Sequence, residues 1–163
     1  MKRYYVFLLL TSLRLAAFSQ ADKPLFEKGG IKIYTVPASA HFPDAELHLL
    51  SPAGGSVIAE GKDTFNFKVK NYTLGAQTPD ADQKLCANSA KGQHIHFILD
   101  NAPYFASYNP QIVQDVKPGH HVLLAFLSRS YHESLKHKKA YILKEFNTGT
   151  DVKDNFNEKA PHL

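Results

Sequence analysis

The feature that most constrains this chain is a period of two. Within residues 64–71, Phe65, Phe67 and Val69 fall on one face of an extended segment and Asn66, Lys68 and Lys70 on the other. That is the alternation of a half-buried β-strand. Residues 31–36, 46–50 and 140–146 read as further strands. His94–Leu99 is rich in β-branched and aromatic residues and stops at Asp100-Asn101-Ala102-Pro103. Residues 120–128 are apolar on both faces, as a central strand requires, and weaker strand pieces occupy 104–108 and 111–116. No long stretch repeats at 3.6 residues. The pattern predicts an all-β fold, an antiparallel β-sandwich of about seven strands. Val116-Lys117-Pro118-Gly119 resembles the turn that leads into the sixth strand of immunoglobulin- and fibronectin-type sandwiches.

The first 21 residues have a different character. Lys2 and Arg3 precede an apolar run over 4–13, and Ser19-Gln20-Ala21 places small residues at the −3 and −1 positions of a cleavage site. This is the order of a secretory signal peptide, and ten uninterrupted apolar residues are too few to cross about 30 Å of hydrocarbon as a helix. The sequence therefore predicts a signal peptide at 1–21, a β-sandwich domain at 22–146 and a polar tail at 147–163. The mature protein is expected in the periplasm or secreted, and not membrane-spanning after cleavage.

Charge then loses its apparent meaning. The whole chain carries 19 Lys+Arg against 15 Asp+Glu, but three of the bases (Lys2, Arg3, Arg14) lie in the export segment. Sixteen bases against fifteen acids leave no basic patch, and no nucleic-acid partner is expected. One cysteine, Cys86, excludes an internal disulfide. A lone thiol is buried, metal-bound or open to intermolecular pairing, and burial is the expectation.

Candidate chemistry gathers around histidine, of which there are nine. Side chains two apart on a strand share a face, so His94 and His96 point together, away from Ile95, Phe97 and Leu99. If strand 94–99 runs antiparallel to strand 120–128, its start meets the other's finish, and His132 hangs over the pair. His120 and His121 then fall at the opposite pole. The 72–93 connection, long for a compact domain, enters at the working end with Gln77, Cys86, Asn88, Ser89 and Lys91. Two same-face imidazoles and a third from a facing loop can hold copper or zinc, with Glu133 or a water completing the shell. The alternative is a set of partly exposed histidines rimming a sheet. A blue-copper site is excluded, because Cys86 precedes the His pair and the only Met is Met1. Copper/zinc superoxide dismutase is excluded by its further histidines and its disulfide.

The same end also suits an anion. Lys91, Arg129, Ser89, Ser128 and Ser130, with a protonatable His132, offer charge-assisted donors, Arg129 being the natural fork. Tyr104, Tyr108 and Tyr131 offer stacking surface or finish the core edge. No Gly-x-Ser-x-Gly elbow, His-Glu-x-x-His pair or Gly-rich phosphate loop occurs, and no enzyme activity is expected. Metal binding should weaken below the ordinary imidazole pKa of about 6.5, whereas anion binding helped by His132 should strengthen there.

Two stretches carry a family resemblance, residues 92–104 (Gly92-Gln93-His94-Ile95-His96 onward) and 118–134 (Pro118-Gly119-His120-His121 through Ser134). Together with 71–78 they resemble small exported proteins of Bacteroidetes-type bacteria, some labelled phosphopeptide-binding, over roughly residues 44–146. The pattern is His-x-His-x-x-x-Asp on one strand, Pro-Gly-x-His before the next and a His after it. The resemblance implies export, a β-sandwich and a ligand role. The combined expectation is an exported binding protein. Its ligand site is expected to be either a metal triad (His94, His96, His132) for copper or zinc, or an anion pocket that the histidines line with Lys91, Arg129, Tyr131 and Ser89. The competing expectation is an envelope module that contacts a protein or glycan without metal.

Overall fold

The computed structural model describes residues 23–53 and 57–149. The predicted signal segment and most of the predicted tail lie outside the described residues. The chain divides into two compact units, 1–37 and 38–163.

In the first unit, β1 (Phe26–Lys28) and β2 (Ile31–Ile33) form an antiparallel hairpin. Gly29 and Gly30 both adopt positive φ in its turn, which fits a tight two-residue hairpin connection. The predicted strand at 31–36 is thus shorter and pairs with a β1 that the sequence pattern does not reveal. Three residues are too few to display a period.

The second unit is a β-sandwich. Its smaller sheet has the order β3 (Glu46–Ser51), β5 (Gly61–Lys70), β8 (Gln111–Val116). The larger sheet has the order β4 (Val57–Ile58), β10 (Tyr141–Thr148), β9 (Gly119–Ser128), β6 (His94–Leu99), β7 (Phe105–Ser107). All pairings are antiparallel except β4 with β10. Ten strands are described where about seven are predicted, and the surplus comes from pieces of two or three residues. No helix among the described residues is long and apolar enough to cross a membrane.

Alternation builds the core. Phe65 and Phe67 of β5 face Phe97 of β6 and Phe146 of β10; Phe65 lies 5.0 Å from Phe97 and 5.6 Å from Phe146, ring to ring. These edge-on contacts between sheets, each ring worth about 2–3 kcal/mol when buried, fix the stacking of the layers. Leu123, Ala125 and Leu127 of β9 and Ile95 of β6 are fully buried on the same inner face. The second unit begins at Ala38, and its last strand runs to Thr148. Asn147 and Thr148 pair with His120 and Gly119 on one side and with Val57 and Ile58 on the other. Ladder hydrogen bonds on both edges draw two polar residues into the sheet.

Candidate metal centre

The register of β6 against β9 places His94 opposite Ser128 and His96 opposite Phe126. The start of one strand therefore meets the end of the other. Because Ile95 and Phe97 take the inner face, His94 and His96 stand on the outer face of the larger sheet. They are nonetheless buried, at 0% and 5% exposure, so the reading of partly exposed rim histidines does not hold for this pair. The residues flanking β7 and Phe126 of β9 supply the cover. The Tyr104 ring stacks on His96 at 4.1 Å and 10°, Phe126 lies 4.9 Å from His96, and Tyr108 lies 5.2 Å from His94.

The hydrogen bonds of His94 fix its tautomer and ring orientation. Its Nδ1 is 2.8 Å from the Gly92 carbonyl oxygen, and its Nε2 is 2.9 Å from His96 Nε2. A carbonyl oxygen only accepts, so His94 carries its proton on Nδ1 and presents a lone pair at Nε2. His96 Nε2 donates the single proton lying between the rings. This carbonyl-to-imidazole hold is the arrangement that orients metal-ligating histidines. Burial lowers the pKa of both rings. For His94 the Gly92 bond opposes that effect in part; for His96 the neighbouring His94 and His132 add to it and bring it to about 4. The pair is neutral at physiological pH, the form that a metal needs.

Gly92 makes this local structure possible. It has φ +85°, and a Cβ there would sit 2.4 Å from the Gly75 carbonyl oxygen. The close approach lets Gly75 N–H donate to Gln93 O and Gln93 N–H donate to Ala76 O. These bonds dock the start of the long 72–93 connection beside β6.

The third imidazole comes from the turn after β9. Ser128 and Ser134 bridge its ends, and its residues divide in role. Arg129 Nε and Nη2 both donate to Ala40 O, while Nη1 donates to Ser134 O and Glu133. Ser130 exchanges two hydrogen bonds with Thr78 and accepts from Ser89 N–H. The Tyr131 hydroxyl donates to Asp80. Burial would raise the Asp80 pKa, but bonds from Ala40 N–H, Tyr131 and Lys84 outweigh it and hold the carboxyl low. Three consecutive residues are sunk into the domain, and the fourth, His132, is exposed with φ 65°. A left-handed non-glycine residue in a turn is uncommon. Here it brings the His132 ring to 4.9 Å from His94 and 6.0 Å from His96.

One potential ligand atom from each of His94, His96 and His132 falls within 4.8 Å of the others. Nitrogens around one ion at about 2.0–2.1 Å lie roughly 3–3.5 Å apart, so to share an ion the exposed His132 would close by about an ångström and the strand pair, 2.9 Å apart, would open slightly. To hold a metal through Nε2 as a neutral ring, His96 would carry its proton on Nδ1 instead, leaving both Nε2 lone pairs for the ion.

The other predicted site residues separate. Ser89 and Lys91 lie at this end: Ser89 Oγ is 2.7 Å from the Tyr108 hydroxyl and Lys91 Nζ is 5.6 Å from the Tyr108 ring centre. Arg129 and Tyr131 are buried, and their polar atoms already hold the turn; neither presents a free donor fork or stacking face. Glu133, expected as one of two candidates with water to complete a metal shell, is held by Ser39 and Arg129 and lies outside the histidine cluster. Cys86 is exposed rather than buried, because it lies in the 79–91 part of the connection, which runs over the surface while Tyr72, Thr78 and Gln93 are buried. At the far pole, His121 Nδ1 is 2.6 Å from Asp100 and Nε2 is 2.7 Å from Lys117 O. Gly92 and Phe126 contribute to the site without any ligand-type signature; only a glycine just before a strand hints at the close backbone approach. Compared with known proteins, the chain matches no protein-family model and no curated protein.

Proposed function

We propose that this is an exported metal-binding protein whose His94, His96 and His132 hold one transition metal, copper or zinc, at the end of a β-sandwich. The observation that carries the reading is the orientation of His94. Its Nδ1 proton is held by Gly92 O, and its Nε2 lone pair faces His96 Nε2 at 2.9 Å inside a buried aromatic surround. Burying two imidazoles costs solvation and gains no salt bridge here, a cost that a bound cation offsets. The donor set is all nitrogen, without thiolate or thioether. That favours Cu(II) or Zn(II) over Cu(I). Export to the periplasm or beyond, inferred from residues 1–21, places the site where copper and zinc arrive from outside the cell.

The test is metal content. The full chain, expressed with its export segment and recovered without an affinity tag, is measured beside a His94/His96/His132→Ala variant. Near-stoichiometric copper or zinc in the parent and none in the variant supports the proposal. No metal in the parent after both ions are offered would sink it, and the loops would then be read as a surface for a protein or glycan of the envelope.

A further inference from the structure

Building on the metal reading, we infer that the centre is completed by a small oxyanion, a carboxylate or phosphate group, bound at an open coordination position beside Lys91. The argument is one of charge and supply. Three imidazoles are neutral ligands, so a divalent ion held by them keeps its full double charge. Among the described residues no carboxylate joins the cluster. The nearest acid along the chain, Glu133, is bound to Ser39 and Arg129, and Asp80 is bound to Ala40 N–H, Tyr131 and Lys84. Cys86 lies outside the cluster. Catalytic and carrier sites with three protein ligands leave a further position for water or an exogenous group.

What lies beside the centre selects the charge of that group. Tyr108 packs 5.2 Å from the His94 ring, and the exposed Lys91 ammonium lies 5.6 Å from the centre of the same tyrosine ring. Ser89 Oγ accepts from Lys91 N–H at 3.3 Å and shares a 2.7 Å bond with the Tyr108 hydroxyl. If Ser89 donates in that pair, the Tyr108 O–H remains free as a donor. A cation and a hydroxyl donor beside an uncompensated dication suit an anionic oxygen ligand. A neutral or cationic ligand would leave the positive charges unbalanced.

The probes are sodium acetate and inorganic phosphate, titrated into the copper-loaded full chain and followed by its visible absorption and electron paramagnetic resonance spectra. Azide serves as a reporter of an open position. Copper content is measured in every sample. The expected result is a saturable spectral change with each anion, none in the metal-free protein, and a loss of about tenfold in anion affinity in Lys91→Gln. Lys68→Gln, a charge on the outer face of the other sheet, should change it by less than about twofold. Copper that binds without responding to any of the three anions would overturn this inference and leave the metal reading standing. So would an equal response in Lys91→Gln and Lys68→Gln. Acetate and phosphate differing in affinity would say which oxyanion the site prefers. A parent chain that takes up no copper would remove both proposals together.

Discussion

Two pairs of histidines sit at opposite poles of the same sheet, and they differ in what holds their ring nitrogens. At one pole His121 places both nitrogens against acceptors, the Asp100 carboxylate and the Lys117 carbonyl. His120 lies 3.2 Å from Asn147 Oδ1 and 3.7 Å from Glu145. These rings act as fasteners. His121 ties the 100–101 turn to the start of β9, and Val122 N–H donates to the other Asp100 oxygen. At the opposite pole His94 and His96 meet no carboxylate; one nitrogen is held by Gly92 and two others face each other. At the first pole the nitrogens are tied to oxygen acceptors of other segments; at the second, two of them meet only each other, and a change of tautomer at His96 would turn both toward a metal. Burial alone does not separate the pairs, since His121 is as buried as His96.

The largest expected contrast follows from substituting one member of each pair. His96→Ala should weaken copper by at least about a hundredfold, because a rigid ligand is lost. His121→Ala should retain copper but lose about 2–3 kcal/mol of stability, roughly 10 °C in Tm, because Asp100 and the Lys117 carbonyl lose their donor. Titration calorimetry and thermal unfolding on the same two variants read both effects. Gly92→Ala should combine the two kinds of damage. Its Cβ collides with the backbone of Gly75 and Ala76, so a stability loss of about 2–3 kcal/mol should accompany weaker metal binding as the carbonyl that orients His94 shifts. A Gly92→Ala protein with parental stability and metal affinity would contradict the role given to that backbone approach.

Smaller effects sharpen the picture. His132→Ala should cost about tenfold in affinity, less than His96→Ala, since an exposed ring that has to close spends part of its binding energy on ordering. Equal losses for the two would make His132 a rigid ligand. In pH, the lowered pKa values set the sign. His96 near 4, with His94 also below its ordinary value, means protons compete with metal at this pair only below about 6.5, so copper held by the pair should persist into mildly acidic solution and leave as pH nears 4. For the metal-free domain, the unfolded chain takes up protons first. Stability is therefore full above the unfolded value near 6.5 and falls as pH drops toward 4. Thermal unfolding against pH checks this, and a metal-free Tm unchanged between those limits would contradict the buried, neutral pair.

The sequence makes part of this legible and hides the rest for definite reasons. The bounds of β6 follow from its composition and the Asp100-Asn101 stop. The approach of His132 follows from antiparallel pairing alone, and the register of His94 with Ser128 agrees with it. The cover over the imidazoles is not legible. Tyr104 and Tyr108 flank β7, a three-residue edge strand too short to show which way its side chains face. Arg129 and Tyr131 read as an anion fork and a stacking surface because local pattern says nothing about Ala40 or Asp80, which hold them from far along the chain. An arginine looks alike in sequence whether its donors are free or used. The hairpin at β1 and β2 and the extension of β10 through Thr148 are hidden for a related reason: pairing partners, rather than the segment's own polarity, decide them.

The most direct test of the central claim compares two double variants of the untagged full chain, His94/His96→Ala and His120/His121→Ala, by copper and zinc content after purification and after metal is offered. The account predicts that the first pair of substitutions abolishes metal uptake, while the second retains near-stoichiometric metal in a less stable protein. Metal held equally by both variants, or lost only from the second, would contradict it.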